Sequence, residues 1–581
     1  MSTSATISST PRLRLFSAPE AQAPPAWWQS TWAIACAGSL LLWASLPPLA
    51  WGWLGWFAPI PWLMLVRRDE LVGRRPYLKI YLAGVLFWLM TLHWLRLPHP
   101  ATYFGWFALA AYLGAYLPVF VGLSRVGVHR LRWPLWIVAP VVWTGLELAQ
   151  GHVMTGFLMG SLGHTQVHFN PLIQAADLVG AYGVSFLVML VAAAMANLIP
   201  IAAASSQARK AGALVAVFAV LSAIMYSVIA DAALASLRSE RTTPDPTVAL
   251  IQGNTLPTWK QEEGRQKRIM DDYLRLSKQA VAEANDADTP LDVIIWPETM
   301  FRTWLASFGP NYTLPPGTDY SLEENSAAGP NDLKALATML GTPLLVGIDR
   351  LHWHHSGEGE GPMLDAFNST ALVDRAGQLL ASYDKSHLVV FGEYVPFAKW
   401  LPWLDTLTPI TGSATHGAGP VAFDLDGIRY VPSICYETVI PHVIRRQVRE
   451  LSEDGKQPDV LVNITNDAWY WGSSELDQHL ACGVFRAIET RTPLVIAANG
   501  GLSAVIDGSG KILHQSPRLE EDVIVATVPL DPRTSFYVAT GDWFAGSCLA
   551  ACVALAFIGW RARRGGTHKS VQPSAISRQP E

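Results

Sequence analysis

Up to about residue 235 the chain is written as long apolar runs with short polar breaks; beyond it, short β-rich runs alternate with amphipathic stretches. A helix needs roughly 20 apolar residues to cross a bilayer. Runs of that kind fall at 29–47, 49–66, 78–96, 103–124, 133–149, 174–199 and 211–233, and an eighth, GDWFAGSCLAACVALAFIGW, at 541–560. Only SLPPLAWGW separates the first two. Basic residues set the threading. Arg12 and Arg14 precede the first run, RRDELVGRRPYLK follows the second, SRVGVHRLR the fourth, ARK the sixth and RARR the eighth. The connections after the third, fifth and seventh carry few Lys or Arg. The alternation keeps step with eight spans. By the positive-inside rule it predicts cytoplasmic termini and places the stretch between the seventh and eighth spans on the opposite face.

That enclosed stretch, 240–536, has the texture of a layered α/β domain. TVALIQGN, LDVIIWPET, TPLLVGIDR, STALVDRAG, VPSICYE, VLVNITND, TPLVIAANGG, LSAVIDGSG and VIVATVPL read as strands. Helical periodicity fits 260–285, 331–340, 440–452 and 475–490, while 303–330 and 351–363 read as extended loops. DRAGQ, DLDG and DGSGK are hairpin turns, because Asp and Gly tolerate positive φ. Strands alternating with helices, plus hairpins, predict a mixed sheet. The stretch is long enough to bury a large core, and no internal repeat is visible. The expected order is therefore a tail at 1–26, seven spans within 27–235, the domain at 240–536, the last span at 541–560 and a second tail at 561–581.

Composition agrees with a membrane protein. The chain is 50% hydrophobic and only 15% charged, against about a quarter charged in soluble proteins. It carries 24 Trp, a residue that favours the bilayer interface. Residues 1–26 are rich in Ser, Ala and Pro and do not read as a cleavable signal. A net charge of −5 without a basic face argues against nucleic-acid binding. The five cysteines form no CxxC or Cys/His ligand spacing, so no metal site is expected. A Cys435–Cys482 disulfide stays open.

Three polar residues end buried-looking runs: Glu298 after DVIIWP, Lys385 after LLASYD, and Cys435 after RYVPSI. Reactive groups collect where strands end and loops converge. A thiol near pKa 8.5 needs a base or a cation to become a nucleophile. A desolvated carboxylate can take its proton, and a lysine can hold charge developing on a carbonyl oxygen. Each has a plainer reading: a core thiol for Cys435, a helix-start carboxylate for Glu298, a solvated strand-end charge for Lys385. Cys482, in HLACGVFRAIE, reads as core. HWHHSGEGEG reads as a solvated loop rather than a metal site. His164 and His168 read as interfacial polar residues, as does Glu147.

IIWPET, YDKSHLVVFGEYVPF and ICYE, in this order, resemble the Glu–Lys–Cys triad of the nitrilase superfamily. With the flanking membrane runs and with IQGN, NDAWY, NGGLSAVID and YVATGDW, the chain resembles the apolipoprotein N-acyltransferases. The resemblance implies a helical membrane bundle carrying an αββα nitrilase-like domain before the last helix, in the bacterial inner membrane with that domain in the periplasm. It also implies a two-step reaction. An acyl chain passes from a phospholipid such as phosphatidylethanolamine to a cysteine, then to the N-terminal amine of a diacylated apolipoprotein. Carried over, Cys435 is the nucleophile, Glu298 the base and Lys385 the oxyanion stabiliser. Glu393 positions Lys385 or the thiol, Tyr436 and Glu437 shape the cysteine loop, and Asn368 supports them. Trp259, displaced from the family's position, and Trp469 are candidate substrate contacts; NDAWYWG departs from the family's NDAWFG. Aromatics in WPETMFRTW and FAKWLPWL are candidates for lining the acyl route. The resemblance implies no cofactor, and the chain is expected to be a monomer. The alternatives are a membrane-tethered amidase or hydrolase, separated by whether water or an amine resolves the acyl-enzyme, and a non-catalytic transporter or scaffold. An intact triad and the lack of paired charges in the spans speak against the latter.

Overall fold

The computed structural model describes residues 29–199, 206–258, 262–310, 312–314, 318, 321–355, 362–395, 400 and 413–567. The predicted tail 1–26 lies outside them, and of the tail predicted at 561–581 residues 561–567 are described and continue the last helix, which runs Trp543–Thr567 and not 541–560.

The first half is helical: α1 (Thr31–Ser45), α2 (Ile60–Arg67), α3 (Pro76–Thr91), α4 (Thr102–Gly114), α5 (Tyr116–Arg125), α6 (Leu135–His152), the short α7 (Asn170–Ile173) and α8 (Ala176–Val179), α9 (Ala181–Leu198) and α10 (Ser206–Ser239). Among the described residues four stretches are long and apolar enough to cross a membrane: Thr102–Arg130, Ala181–Leu198, Arg209–Ser239 and Trp543–Ala562. Thr31–Ser45 and Pro76–Thr91 are apolar but shorter. The run predicted at 49–66 is not one helix. It divides into a 3-10 turn, Gly52–Trp56, and the eight-residue α2, about 12 Å long. Pro47, Pro48 and Pro59 lack the N–H groups that a continuous helix would use. Likewise Gly180, at φ 71°, breaks 174–199 ahead of α9.

The second half runs β1 (Thr247–Gln252), α11 (Arg265–Asp286), β2 (Val293–Ile295), β3 (Phe301–Phe308), α12 (Leu322–Leu340), β4 (Leu344–His355), β5 (Pro362–Val373), β6 (Leu379–Asp384), β7 (Phe423–Leu425), β8 (Ile428–Ile434), α13 (Pro441–Leu451), β9 (Val460–Thr465), α14 (Glu475–Thr490), β10 (Leu494–Ala498), β11 (Ala504–Ile506), β12 (Ile512–Gln515), β13 (Asp522–Thr527) and α15 (Phe536–Thr540). Helix α16 (Trp543–Thr567) follows. One sheet has the order β13-β1-β2-β4-β5-β6 with β3 beside β4; the other is β12-β11-β10-β9-β8-β7. Pairs β1–β2, β2–β4, β3–β4, β8–β9 and β9–β10 are parallel, and the rest antiparallel.

The period-2 alternation of strand side chains decides the layering. Val248, Leu250 and Ile295 of the first sheet meet Ile434, Val462 and Val495 of the second. Ala249, Ile251 and Val346 point the other way, onto Tyr273, Leu276 and Leu333 of α11 and α12. Val431, Leu461 and Ile496 face α13 and α14. The result is a four-layer αββα domain. Two loop expectations are corrected. Residues 301–308 and 322–340 form β3 and α12, and β4 runs through the histidines of HWHH to His355. The rest of that motif lies outside the described residues.

The domain is seated on the membrane helices, not merely tethered. Val439, Ile440 and Cys482 belong to the same apolar cluster as α1, α3 and α6. The fully buried Arg491 pairs with Asp177 at 2.7 Å, and Glu489 accepts the Ala181 N–H at the start of α9 at 2.7 Å. Helix α16 returns against α6 so closely that a Cβ on Gly145 would lie 2.7 Å from the Cys548 backbone. His164, expected at the interface with water, is instead buried against Phe485. Glu147 is buried too, accepting from Trp143 Nε1 and the Leu162 N–H.

Candidate active site

Glu298, Lys385 and Cys435 stand just beyond strand ends, and Asn368 lies on β5. β2 is only three residues long, so Trp296-Pro297-Glu298 leaves the sheet at once. Gly347 on β4 makes room for that turn: a Cβ there would meet Pro297 O at 2.3 Å and Glu298 Cα at 2.6 Å. Glu298 is 8% exposed. Its Oε1 accepts from Asn368 Nδ2 at 2.7 Å and lies 3.6 Å from Lys385 Nζ. Its Oε2 accepts the Asn466 N–H at 3.0 Å. Lys385, one residue past β6, is 1% exposed and donates to Glu393 Oε1 at 2.9 Å. Asn368 Nδ2 also reaches Glu393 Oε1, at 3.0 Å, while Glu393 Oε2 accepts the Val389 N–H. One amide therefore spans both carboxylates and sets their separation around the ammonium.

Cys435 follows β8 at φ 51° and opens a 3-10 turn, Cys435–Val439. A left-handed backbone is unfavourable for a residue with a side chain and persists only where surroundings enforce it. Here they do. The Cys435 carbonyl accepts from Thr438 Oγ1 (2.8 Å), Asn463 Nδ2 (3.2 Å) and His479 Nε2 (3.2 Å). Glu437 is fully buried. Its Oε1 accepts from Tyr383 OH, the Ser386 N–H and Oγ–H, and the His387 N–H, and its Oε2 from the Ile434 N–H. This carboxylate ties the lysine segment to the cysteine turn. Tyr436 OH donates to Gly156 O at 2.8 Å, joining the turn to the loop after α6.

The two carboxylates beside Lys385 are pushed apart. Burial raises the Glu298 pKa, the negative Glu393 adds to it, and Lys385 only partly offsets them. For Glu393 the ammonium and the N–H donors outweigh burial and hold the carboxyl below its ordinary value. Burial alone would push Lys385 down, but Glu393 and Glu298 outweigh it and keep it protonated. Burial and then the Glu298 charge hold the Cys435 thiol well above its ordinary value. The resting site thus pairs a protonated thiol with a carboxylate of raised basicity. A permanent cation stands between that carboxylate and a second, ionised one. When environments drive neighbouring titratable groups apart, acid–base roles separate.

Beneath the cysteine turn lie Asp467, Glu475 and His479, all buried, the one group among the described residues with donor spacing for a metal ion. Asp467 Oδ1 is 3.4 Å from His479 Nδ1, and its charge outweighs burial to raise the imidazole pKa. Burial and then Asp467 push Glu475 well above the carboxylate range.

Glu298, Lys385, Cys435, Glu393, Asn368, Tyr436 and Glu437 thus come together as one cluster. Trp469 is half-buried in the 3-10 turn Asp467–Tyr470, and Trp471 after it is left-handed at φ 51°. Trp259 lies outside the described residues, as does FAKWLPWL apart from Trp400. Sequence reasoning missed Asn466, Asn463 and His479. NDAWY marked the first as part of a motif, but nothing in the spacing tied HLACGVF to the cysteine carbonyl. The five cysteines are free, so Cys435 and Cys482 are not bridged.

A family model described as apolipoprotein N-acyltransferase N-terminal domain matches residues 38–194, and one described as carbon-nitrogen hydrolase matches 247–536. An apolipoprotein N-acyltransferase of Rhodopirellula baltica is 30% identical, over 89% of this chain and 95% of its own. One of Geobacter metallireducens is 33% identical, over 91% and 95%. The chain belongs to the apolipoprotein N-acyltransferase family. Its catalytic half has the carbon-nitrogen hydrolase fold, and the family's N-terminal domain coincides with the helical half. Among solved structures, an amidase of Nesterenkonia AN1 from the nitrilase superfamily matches 51% of this chain and 94% of its own at 17% identity and a TM-score of 0.33.

Proposed function

We propose that this protein moves an acyl chain from a membrane phospholipid to Cys435, then to the N-terminal amine of diacylglyceryl-cysteine in an apolipoprotein. The observation that carries the reading is the split of the two carboxylates around Lys385, beside a thiol fixed on a left-handed turn.

In the first half-reaction Glu298 takes the Sγ proton and the thiolate attacks the donor's ester carbonyl. The oxyanion sits against Lys385. Its ammonium has three donors, of which one is held by Glu393. The Tyr436 N–H, at the start of a 3-10 turn, is free of an intrahelical acceptor and is proposed as a second donor. Collapse breaks the ester C–O bond, and the leaving alcohol takes the proton from Glu298. A thioester and a lysophospholipid result. In the second half the acceptor amine attacks the thioester carbonyl and Glu298 takes its proton. Collapse forms the amide and returns the thiol. Glu393, Asn368 and Glu437 position these groups without touching substrate. Trp469 and Trp259 are proposed lipid contacts.

Both substrates are anchored in a bilayer, which fits a site joined to the membrane bundle through Tyr436. We further propose eight passes in the bacterial inner membrane. The broken segment around α2, and α6, would complete the count given by the long and shorter apolar helices. The basic connections then put both termini in the cytoplasm and the 240–536 domain in the periplasm. The phospholipid is proposed to be phosphatidylethanolamine-like, and the protein a monomer.

The test is to supply purified protein in detergent with phosphatidylethanolamine and a synthetic diacylated lipopeptide. The expected product is the N-acylated lipopeptide. Free fatty acid with the lipopeptide unchanged would convert the reading to a membrane hydrolase.

A further inference from the structure

At the end of the bundle away from Cys435, α5, the π-helical turn Val126–Arg130 and α16 line an open groove. Its long walls are apolar: Val119 and Leu123 on one side, Leu555, Ala556 and Trp560 on the other. Arg125, His129 and Arg130 also line it, and no Asp or Glu does. Arg125 donates to the backbone carbonyls of Leu65, Val66, Arg68 and Asp69, so its charge meets carbonyl dipoles. Arg130 is exposed. Two further guanidinium groups stand just beyond, Arg561 at 4.5 Å over Phe557 and Arg564 at 4.1 Å over Trp560. Among the described residues neither Arg130 nor Arg561 pairs with a carboxylate.

We propose that this groove binds an anionic phospholipid, with its phosphate at Arg130 and Arg561 and an acyl chain between α5 and α16. The apolar track alone would accept any lipid tail. Charge selects the head. The charged residues that line it are all basic, and among them an ammonium headgroup finds no carboxylate to pair with. Basic pockets between transmembrane helices recognise anionic headgroups in this way. The site differs from the acyl-donor site. It flanks the start of α6, whereas the Cys435 turn meets Gly156 beyond that helix's far end, about 27 Å away along its 18 residues. A lipid there would stitch the last helix to the bundle.

Native mass spectrometry of the full chain tests this, after detergent extraction into equimolar phosphatidylglycerol and phosphatidylethanolamine with matched acyl chains. The wild type is expected to retain phosphatidylglycerol at least about fivefold in preference. Arg130→Gln combined with Arg561→Gln should bring that ratio to near one. Ala556→Trp, which fills the track but keeps every charge, should lower total retention and reports independently if the double variant folds poorly. Inorganic phosphate alone should not raise the unfolding temperature as phosphatidylglycerol does. Equal retention of the two lipids by wild type, an unchanged ratio in the double variant, or an equal effect of phosphate would overturn the proposal.

Discussion

The two halves of this chain solve opposite solvent problems. In the helical half the outermost helices turn apolar side chains outward: Phe218 is 73% exposed, Leu214 70% and Val553 64%. In the catalytic half the apolar side chains are folded between sheets and under helices, and what gathers at the strand ends is polar. Lys385 and Glu437 are buried there with every charge answered. A lipid-facing surface penalises unpaired charge, so the membrane half keeps its charges at the helix ends or inside. The catalytic half can place ions at strand ends because the sheets fix them. The chemistry is therefore built on the α/β half, and the membrane half supplies the footing on which its cysteine turn rests.

Removing the central cation should break this division most severely. Lys385→Met leaves Glu298 and Glu393 facing each other without a counter-charge and deletes an oxyanion donor, a loss of about 10²–10³ in acyl loading. Stopped-quench loading assays with a phospholipid donor measure it. Arg491→Leu strips the counter-ion from buried Asp177 at the junction of the halves. Breaking such a buried pair costs about 3–5 kcal/mol, to be read from unfolding in detergent. Gly145→Leu tests the membrane half alone. It forces α6 off α16 and should cost about 1–3 kcal/mol while leaving the loading chemistry of folded protein intact. The smallest and most discriminating effect is in pH. Glu298 must be ionised to accept a proton, and its pKa is raised by burial. Loading should therefore fall as pH drops through a value above the ordinary carboxylate range. An acidic limb at or below that range would assign the base elsewhere.

Much of this was legible from residue order alone. β1 (TVALIQ), β9 (VLVNIT) and β10 (LVIAA) are mostly apolar, as central strands buried on both faces must be. Glu298 and Cys435 were visible because each follows a buried apolar run, whereas Lys385 follows β6, a half-exposed edge strand, and was visible through the motif around it. The supports were not. Glu437 reaches Tyr383 and Ser386 across some fifty positions of chain, and His479 reaches the Cys435 carbonyl from a helix that looks like core. Hydrogen bonds of that range leave no periodicity. α12 was hidden for a local reason. Pro330 interrupts its pattern, although Ser321 and Glu324 form a capping box at its start, a signal present in the sequence. The 49–66 run misled in the other direction, because hydropathy counts apolar residues and does not register the prolines that divide them.

Glu298 is proposed to activate Cys435 for attack on a phospholipid ester. Intact-protein mass spectrometry after incubation with phosphatidylethanolamine alone tests it most directly. Wild type should gain one hydroxylamine-labile acyl group on Cys435, and Cys435→Ala and Glu298→Gln should gain none. An adduct of equal yield in Cys435→Ala would remove Cys435 as the nucleophile, and unimpaired loading in Glu298→Gln would remove Glu298 as its base.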